Sequence, residues 1–173
     1  MKKYGIFYGS LTGTTADVAN RIANALGVPA TDVHDVKNTA PSVLGDYDEI
    51  ILGTSTWGDG EIESDWYDFL DGAKSLDLKG KRMAVFGCGD ETMSETFCNG
   101  VGELYKAMLP TGVTPVGDFD VKGYTFDKSD ALVDGKYVGL LLDEVNHPEL
   151  TDARIKAWTA QIALPVAKAA ATV

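Results

Sequence analysis

Short apolar runs alternate with amphipathic stretches along most of this chain. The runs are KYGIFYG (residues 3–9), PATDVHDV (29–36), EIILGTS (49–55), RMAVFGCG (82–89) and a last pair, VTPVG (113–117) and YVGLLLD (137–143). Unbroken apolar character in Ile50, Ile51 and Leu52, and again over 83–86, is what a strand needs when both its faces are covered. Between the runs the period changes to that of a helix. Val18, Ile22 and Leu26 recur at four-residue spacing, and Gly27 stops the pattern. A short helix is expected within 41–44, a longer one over 64–73, and another over 97–109 that ends at Pro110. A last helix begins near Leu150, Thr151 and Asp152, puts Ile155, Trp158 and Ile162 on one face, and ends or kinks at Pro165. The Ala-rich VAKAAATV tail is expected to fray.

Strand and helix in strict alternation predict βαβ units wound around a parallel sheet. One segment departs from it: residues 118–137, DFDVKGYTFDKSDALVDGKY, carry no clean helical pattern. The apolar runs on either side read as two halves of one edge strand, interrupted by this excursion. Its Tyr124 and Phe126 fit partner docking or edge protection, and a tolerated surface loop fits equally.

With 173 residues the chain is one domain, large enough for a real core. Its first residues, MKKYGIFYG, lack the apolar stretch of roughly 7–15 residues that a signal peptide needs. No run approaches the ~20 apolar residues of a membrane span. The expectation is a cytoplasmic protein. The net charge of −11 disfavours nucleic acid and anionic membranes. It suits either docking on basic protein surfaces or solubility alone. Cys88 and Cys98 form no CxxC pair and have no metal-ligand spacing with His34 or His147. The two histidines are assigned no chemistry.

In open parallel sheets ligands sit beyond the carboxyl ends of the strands, which directs attention to three loops. GSLTGTT follows the first strand. Ser10, Thr12, Thr14 and Thr15 supply hydroxyls at a helix start, and Gly13 lets a ligand approach the backbone. That combination fits a phosphate held without any cation, and it also fits an ordinary Ser/Thr-capped helix. The lysine of GxxxxGK[ST] and the glycines of GxGxxG are both missing. TSTWGDGEIESDW places Trp57 among small residues, as a platform for a flat ring or as a surface or interface tryptophan. Asp59, Glu61, Glu63, Asp65 and Asp68 form an acidic rim just beyond. In GCGDETMSETF, Asp90 either accepts from an imide-like N–H or caps the following helix. A phosphate and a flat heteroaromatic ring are the ligand these parts specify. No nucleophile–base pair accompanies them, so binding fits better than hydrolysis.

The ordered motifs YGSLTGTT, TWGDGEIESDW, GCGDETMSETF, the interrupted fifth strand, GKYVGLLLDE and LTDARIKAW resemble the long-chain flavodoxins over nearly the whole chain. The resemblance implies a doubly wound α/β fold of three layers, its five-stranded parallel sheet ordered 2-1-3-4-5. It implies FMN as cofactor, with its phosphate held by Ser10, Leu11, Thr12, Gly13, Thr14 and Thr15. Ser55, Thr56, Trp57, Gly58, Asp59 and Gly60 would line the ring. Trp57 would stack on one face, and the Gly58–Asp59 peptide would meet flavin N5, a contact that favours the half-reduced neutral ring. Cys88, Gly89, Asp90, Phe97 and Cys98 would surround the pyrimidine end, with Asp90 accepting from N3–H. Asp143 would touch the ribityl chain. Where the family usually stacks a tyrosine on the second ring face, this chain has Met93, either as its replacement or as loop filler with Ser94 nearer the ring.

The implied function is low-potential, one-electron transfer between a reductase and acceptor enzymes. The protein would have no substrate of its own, dock transiently on basic-faced redox partners, and be a monomer. An NAD(P)H-dependent quinone reductase on the same fold is the alternative. A receiver-like signalling module is disfavoured by Trp57 and by the missing acid cluster.

Overall fold

The structure, a computed structural model, describes residues 2–57 and 60–164, apart from the side chains of Lys2 and Trp57. Gly58, Asp59 and the tail beyond residue 164 lie outside it. Strand β1 (Lys2–Gly9) lies one place in from the edge of the sheet. It pairs in parallel with β2 (Val33–Asp35) on one side and β3 (Tyr47–Trp57) on the other. The end of β3 is met by the short antiparallel β4 (Glu61–Ile62), with Thr56 opposite Ile62. On its far side β3 pairs in parallel with β5 (Arg82–Cys88).

Two separate segments then occupy the outer edge of β5. β6 (Thr114–Pro115) pairs with Arg82 and Met83. The chain leaves the sheet, forms a small hairpin from β7 (Leu132–Val133) and β8 (Lys136–Tyr137), and returns as β9 (Leu140–Leu142) opposite Phe86, Gly87 and Cys88. Both pairings are parallel and on the same edge, so β6 and β9 are the two halves of one interrupted strand. Counted that way, the order is 2-1-3-4-5.

Four helices cover the sheet: α1 (Thr14–Leu26), α2 (Asp65–Ala73), α3 (Asn99–Met108) and α4 (Pro148–Ile162). Successive strand residues point to opposite faces, and each face has its own core. Ile6, Ile51, Ala84, Phe86 and Leu140 pack under α1 and α4, against Val18, Ile22, Ile155 and Trp158. Phe7, Leu52, Val85 and Leu141 pack under α2 and α3, against Trp66, Phe69, Leu104 and Met108. Burial on both sides is why these strands read as continuous apolar runs.

Several element boundaries differ from expectation for local reasons. The second strand is confined to Val33–Asp35 because Ala30–Asp32 winds into a 3-10 turn, with the Asp32 carboxylate accepting from the Tyr47 hydroxyl at 2.9 Å. The helix expected within 41–44 is a 3-10 segment, Pro41–Asp46. Helix α3 begins at Asn99, since Cys98 adopts a left-handed backbone (φ 51°) that no helix continues through. It ends at Met108, and Pro110 sits inside a following 3-10 turn, Leu109–Thr111. Helix α4 starts earlier than expected, at Pro148, where a proline's fixed φ and missing N–H are harmless.

Candidate functional site

All strands of the parallel path run the same way, so the loops after β1, β3, β5 and β9 leave from one edge. The register aligns Gly9 with Thr54, Ser55 with Cys88, and Cys88 with Leu142. There the loops enclose a cleft of about 300 Å³, at the small end of the range for ligand sites.

The first loop turns sharply into α1. Gly13 has φ 94°, with nothing within 4 Å of where a side chain would stand, so its conformation and not space demands glycine. The Ser10 hydroxyl accepts the Gly13 N–H at 3.1 Å and closes the turn. No side chain caps α1, and its first helical hydrogen bond runs from Asp17 N–H to Gly13 C=O. The N–H groups of Thr14, Thr15 and Ala16 therefore have no partner within the helix. Thr15 is buried, and its hydroxyl makes no well-formed hydrogen bond, with only the Cys88 thiol beside it. Such an orphan costs about 1–3 kcal/mol. Four donors converge at the positive end of a helix dipole, an arrangement made for an anion.

Thr12 and Thr14 from this loop line the cleft with Ser55 and Thr56 from the end of β3. Thr56 also accepts from Gly100 N–H at 3.0 Å, tying β3 to the start of α3. Cys88, Gly89, Asp90, Met93, Phe97 and Cys98 complete that wall. Cys88 is buried and burial pushes its thiol up to about 12; the Cys98 thiol is raised for the same reason. Both are neutral apolar surface at any ordinary pH. Met93 stands half exposed at the cleft. Gly60 packs beside Thr96 and Asn99 at the turn into β4. Gly58, Asp59 and the Trp57 side chain fall outside the described residues.

Asp90 neither caps a helix nor stands alone. Its Oδ1 accepts from Thr92 N–H (2.9 Å), the Thr92 hydroxyl (2.6 Å) and Asn146 Nδ2 (2.8 Å). Those bonds from Thr92 and Asn146 hold the carboxyl below its ordinary range, so it is an anion. All three fall on Oδ1.

Asp143 is turned inward and fully buried. Its Oδ1 accepts from the N–H groups of Val145 (3.0 Å) and Asn146 (2.8 Å), and its Oδ2 from Glu91 N–H and Asn146 Nδ2, both at 2.9 Å. The carboxylate is spent on holding two loops together, and its neighbours Glu144 and Val145 line the cleft in its stead. Glu144 is paired with Arg21 of α1 and accepts from the Thr151 hydroxyl at 2.8 Å. The acidic rim also loses a member. Glu63 is buried, takes the Asp65 N–H at 3.0 Å, and is pushed up by that burial.

Sequence reasoning passed over Thr96, Glu144 and Val145. Thr96 lies inside a motif already singled out, and the other two directly follow Asp143. Only the inward turn of Asp143, set by the amides around it, shows which of these neighbours faces the cleft.

The fold and cleft are those of a doubly wound α/β protein that holds a phosphate-bearing ligand at its strand ends. Comparison with known proteins makes that class specific. A family model described as flavodoxin matches residues 6–158. Flavodoxin 1 of Shigella flexneri is 42% identical over 164 residues, covering 94% of this chain and 93% of that protein. A Nostoc flavodoxin is 41% identical, covering 93% and 95%. The Fusobacterium nucleatum flavodoxin solved with flavin mononucleotide superposes with a TM-score of 0.84 at 33% identity, covering 94% and 97%. This chain belongs to the flavodoxin family. Flavodoxins are electron carriers, not enzymes, which sets aside the quinone reductase alternative.

Proposed function

We propose that this protein holds FMN in the cleft at the ends of β1, β3, β5 and β9, and passes single electrons from a basic-faced reductase to an acceptor enzyme. One observation carries the cofactor assignment. The buried Thr15 hydroxyl has only the weakly bonding Cys88 thiol beside it at the uncapped start of α1, where the tail of a phosphorylated ligand would complete it. FMN, once bound, supplies the one-electron chemistry.

The chain's own residues bind and orient it. Ser10, Thr12, Thr14, Thr15 and the α1 amides hold the phosphate, with Leu11 and Gly13 shaping the loop. Charge-assisted bonds of about 1.5–3 kcal/mol each suffice without a lysine. Ser55, Thr56, Cys88, Gly89, Phe97 and the left-handed Cys98 backbone wall the ring. Asp90, with Oδ1 already committed, offers Oδ2 to a ring N–H. Met93 would cover one ring face. By the family pattern Trp57, the Gly58–Asp59 peptide and Gly60 would line the opposite side. Exposed Leu11 and Val145 and half-exposed Met93 surround the mouth, and Glu61 and Asp68 lie exposed nearby. That mixture suits brief, salt-sensitive docking by cationic partners.

The test is to titrate the apoprotein with FMN and with riboflavin, then reduce the complex stepwise. Tighter binding of FMN, two separate one-electron steps and no NADPH oxidation are expected. Equal affinity for both flavins would remove the phosphate cradle, and failure to bind either would remove the function.

A further inference from the structure

Behind the cleft wall lies a cluster that does not touch the cleft itself. Glu91 is its hub. The Glu91 N–H donates to Asp143 Oδ2 at 2.9 Å, its Oε1 meets His147 Nε2 at 2.8 Å, and its Oε2 accepts from Thr125 N–H at 2.6 Å. One side chain thus joins the loop carrying Asp90 and Met93 to the 118–137 excursion and to the start of α4. His147 stacks on Tyr124, with ring centres 5.4 Å apart and planes 29° apart. The Arg154 guanidinium lies 4.4 Å from the centre of the same ring, and the Tyr124 hydroxyl accepts from Asp143 N–H at 3.2 Å.

Both nitrogens of His147 face carboxylates. Nε2 meets Glu91 at 2.8 Å, and Nδ1 meets Glu149 at 3.4 Å. A neutral imidazole has one N–H and can serve only one of them; the imidazolium serves both. We propose that His147 is a titrating positioning residue: protonated and stacked on Tyr124, it clasps Glu91 and holds the Asp90–Met93 wall in place, and on losing its proton it slackens that wall and loosens the cofactor. The inference rests on FMN occupying the cleft, as proposed above.

The surrounding charges favour the cation. From the cleft loop come Glu91 directly and Asp90 through Asn146. From the end of β9 comes Asp143, whose carboxylate shares Glu91's N–H, while Glu144 is taken by Arg21. From α4 comes Glu149. Opposing them are Arg154 and the positive end of α4, whose capping position His147 itself occupies. Tyr124 adds an electron-rich face. Hydrogen bonding to Glu91 outweighs the rest and holds the imidazole above its ordinary 6.5. The contribution is therefore complete below pH 6.5 and is lost as pH rises through the raised folded value.

The experiment follows FMN dissociation from the holoprotein between about pH 5.5 and about pH 8.5, beside NMR titration of the isotope-labelled apoprotein. Dissociation should quicken several-fold through the His147 titration, with the Thr125 amide shifting at the same pH. His147→Gln, which donates to Glu91 but carries no charge, should release FMN at the fast rate at every pH, as should Glu91→Gln. The proposal is overturned by a His147→Gln variant that keeps the wild-type pH profile, or by a Thr125 amide that ignores the imidazole. Should FMN fail to bind at all, the function above falls, and the apoprotein titration still decides the clasp.

Discussion

Glu49 of β3 and Arg82 of β5 are cross-strand neighbours whose side chains approach to 3.9 Å without a hydrogen bond. Glu49 is fully buried, and neither of its carboxylate oxygens nor Arg82 Nε has a hydrogen-bond partner. Burial outweighs the nearby guanidinium and raises this carboxyl from 4.5 to about 7. The pair lies at the opposite end of the strands from the cleft, so it bears on stability alone.

Between pH 4.5 and about 7 the folded chain keeps a proton on Glu49 that the unfolded chain has released. Stability therefore falls as pH rises through that window and levels above it, by about 3 kcal/mol in all. Glu49→Gln should remove this slope and raise the melting temperature at pH 8. A variant melting with the wild-type pH dependence would show that Glu49 titrates normally.

Thr15→Val exchanges the orphan hydroxyl for a methyl group of the same shape. The apoprotein should melt at the same temperature or higher, because an unsatisfied buried polar group is removed. FMN affinity should fall by about 1.5–3 kcal/mol, the range for a hydrogen bond to a charged group. Riboflavin affinity should hardly move. Calorimetric titration with both flavins distinguishes this from general damage, which would weaken both alike.

Asp143→Ala removes an acceptor from four N–H bonds that join the β9 turn to the cleft loop. Leaving buried donors unpaired costs about 1–3 kcal/mol each, so denaturant unfolding should show a loss of at least about 2 kcal/mol. FMN binding should weaken too, since Glu144, Val145 and Asp90 lose their common anchor. A change under about 0.5 kcal/mol, ordinary for surface sites, would contradict the arrangement.

Met93→Tyr places a flat ring where a half-exposed thioether stands at the cleft. Aromatic contacts contribute about 0.5–1.5 kcal/mol beyond area burial, so FMN should bind several-fold more tightly. The potential for full reduction should fall, as an electron-rich face opposes added negative charge. Unchanged affinity and potentials would mean that residue 93 does not face the ring.

Much of the fold was legible because its signals are local or periodic. Ile50–Leu52 read as a strand covered on both faces, which it is, and Gly27 stops α1 with φ 70°, a turn that suits glycine. The loops at the strand ends were legible as well: Thr12, Thr14, Ser55, Thr56, Cys88, Gly89, Asp90, Met93, Phe97 and Cys98 all line one cleft. The boundaries that differ turn on the left-handed Cys98 backbone before α3 and on Pro148 at the start of α4, and in one case on a distant side chain, Tyr47 at Asp32.

The sequence by itself determined the order of elements, the parallel sheet and the set of loops that meet at its edge, since hydrophobic period and turn chemistry act over a few residues. Tertiary structure alone decided which way the polar groups of those loops face. Asp143 looks like a cofactor contact in the chain, but a buried carboxylate turns toward whatever N–H groups surround it, and these come from the cleft loop and its own turn. His147 looks idle until folding sets Glu91 from the cleft loop and Tyr124 from the excursion against it. Such pairings depend on distance in space across residues far apart in the chain, and no local pattern encodes them.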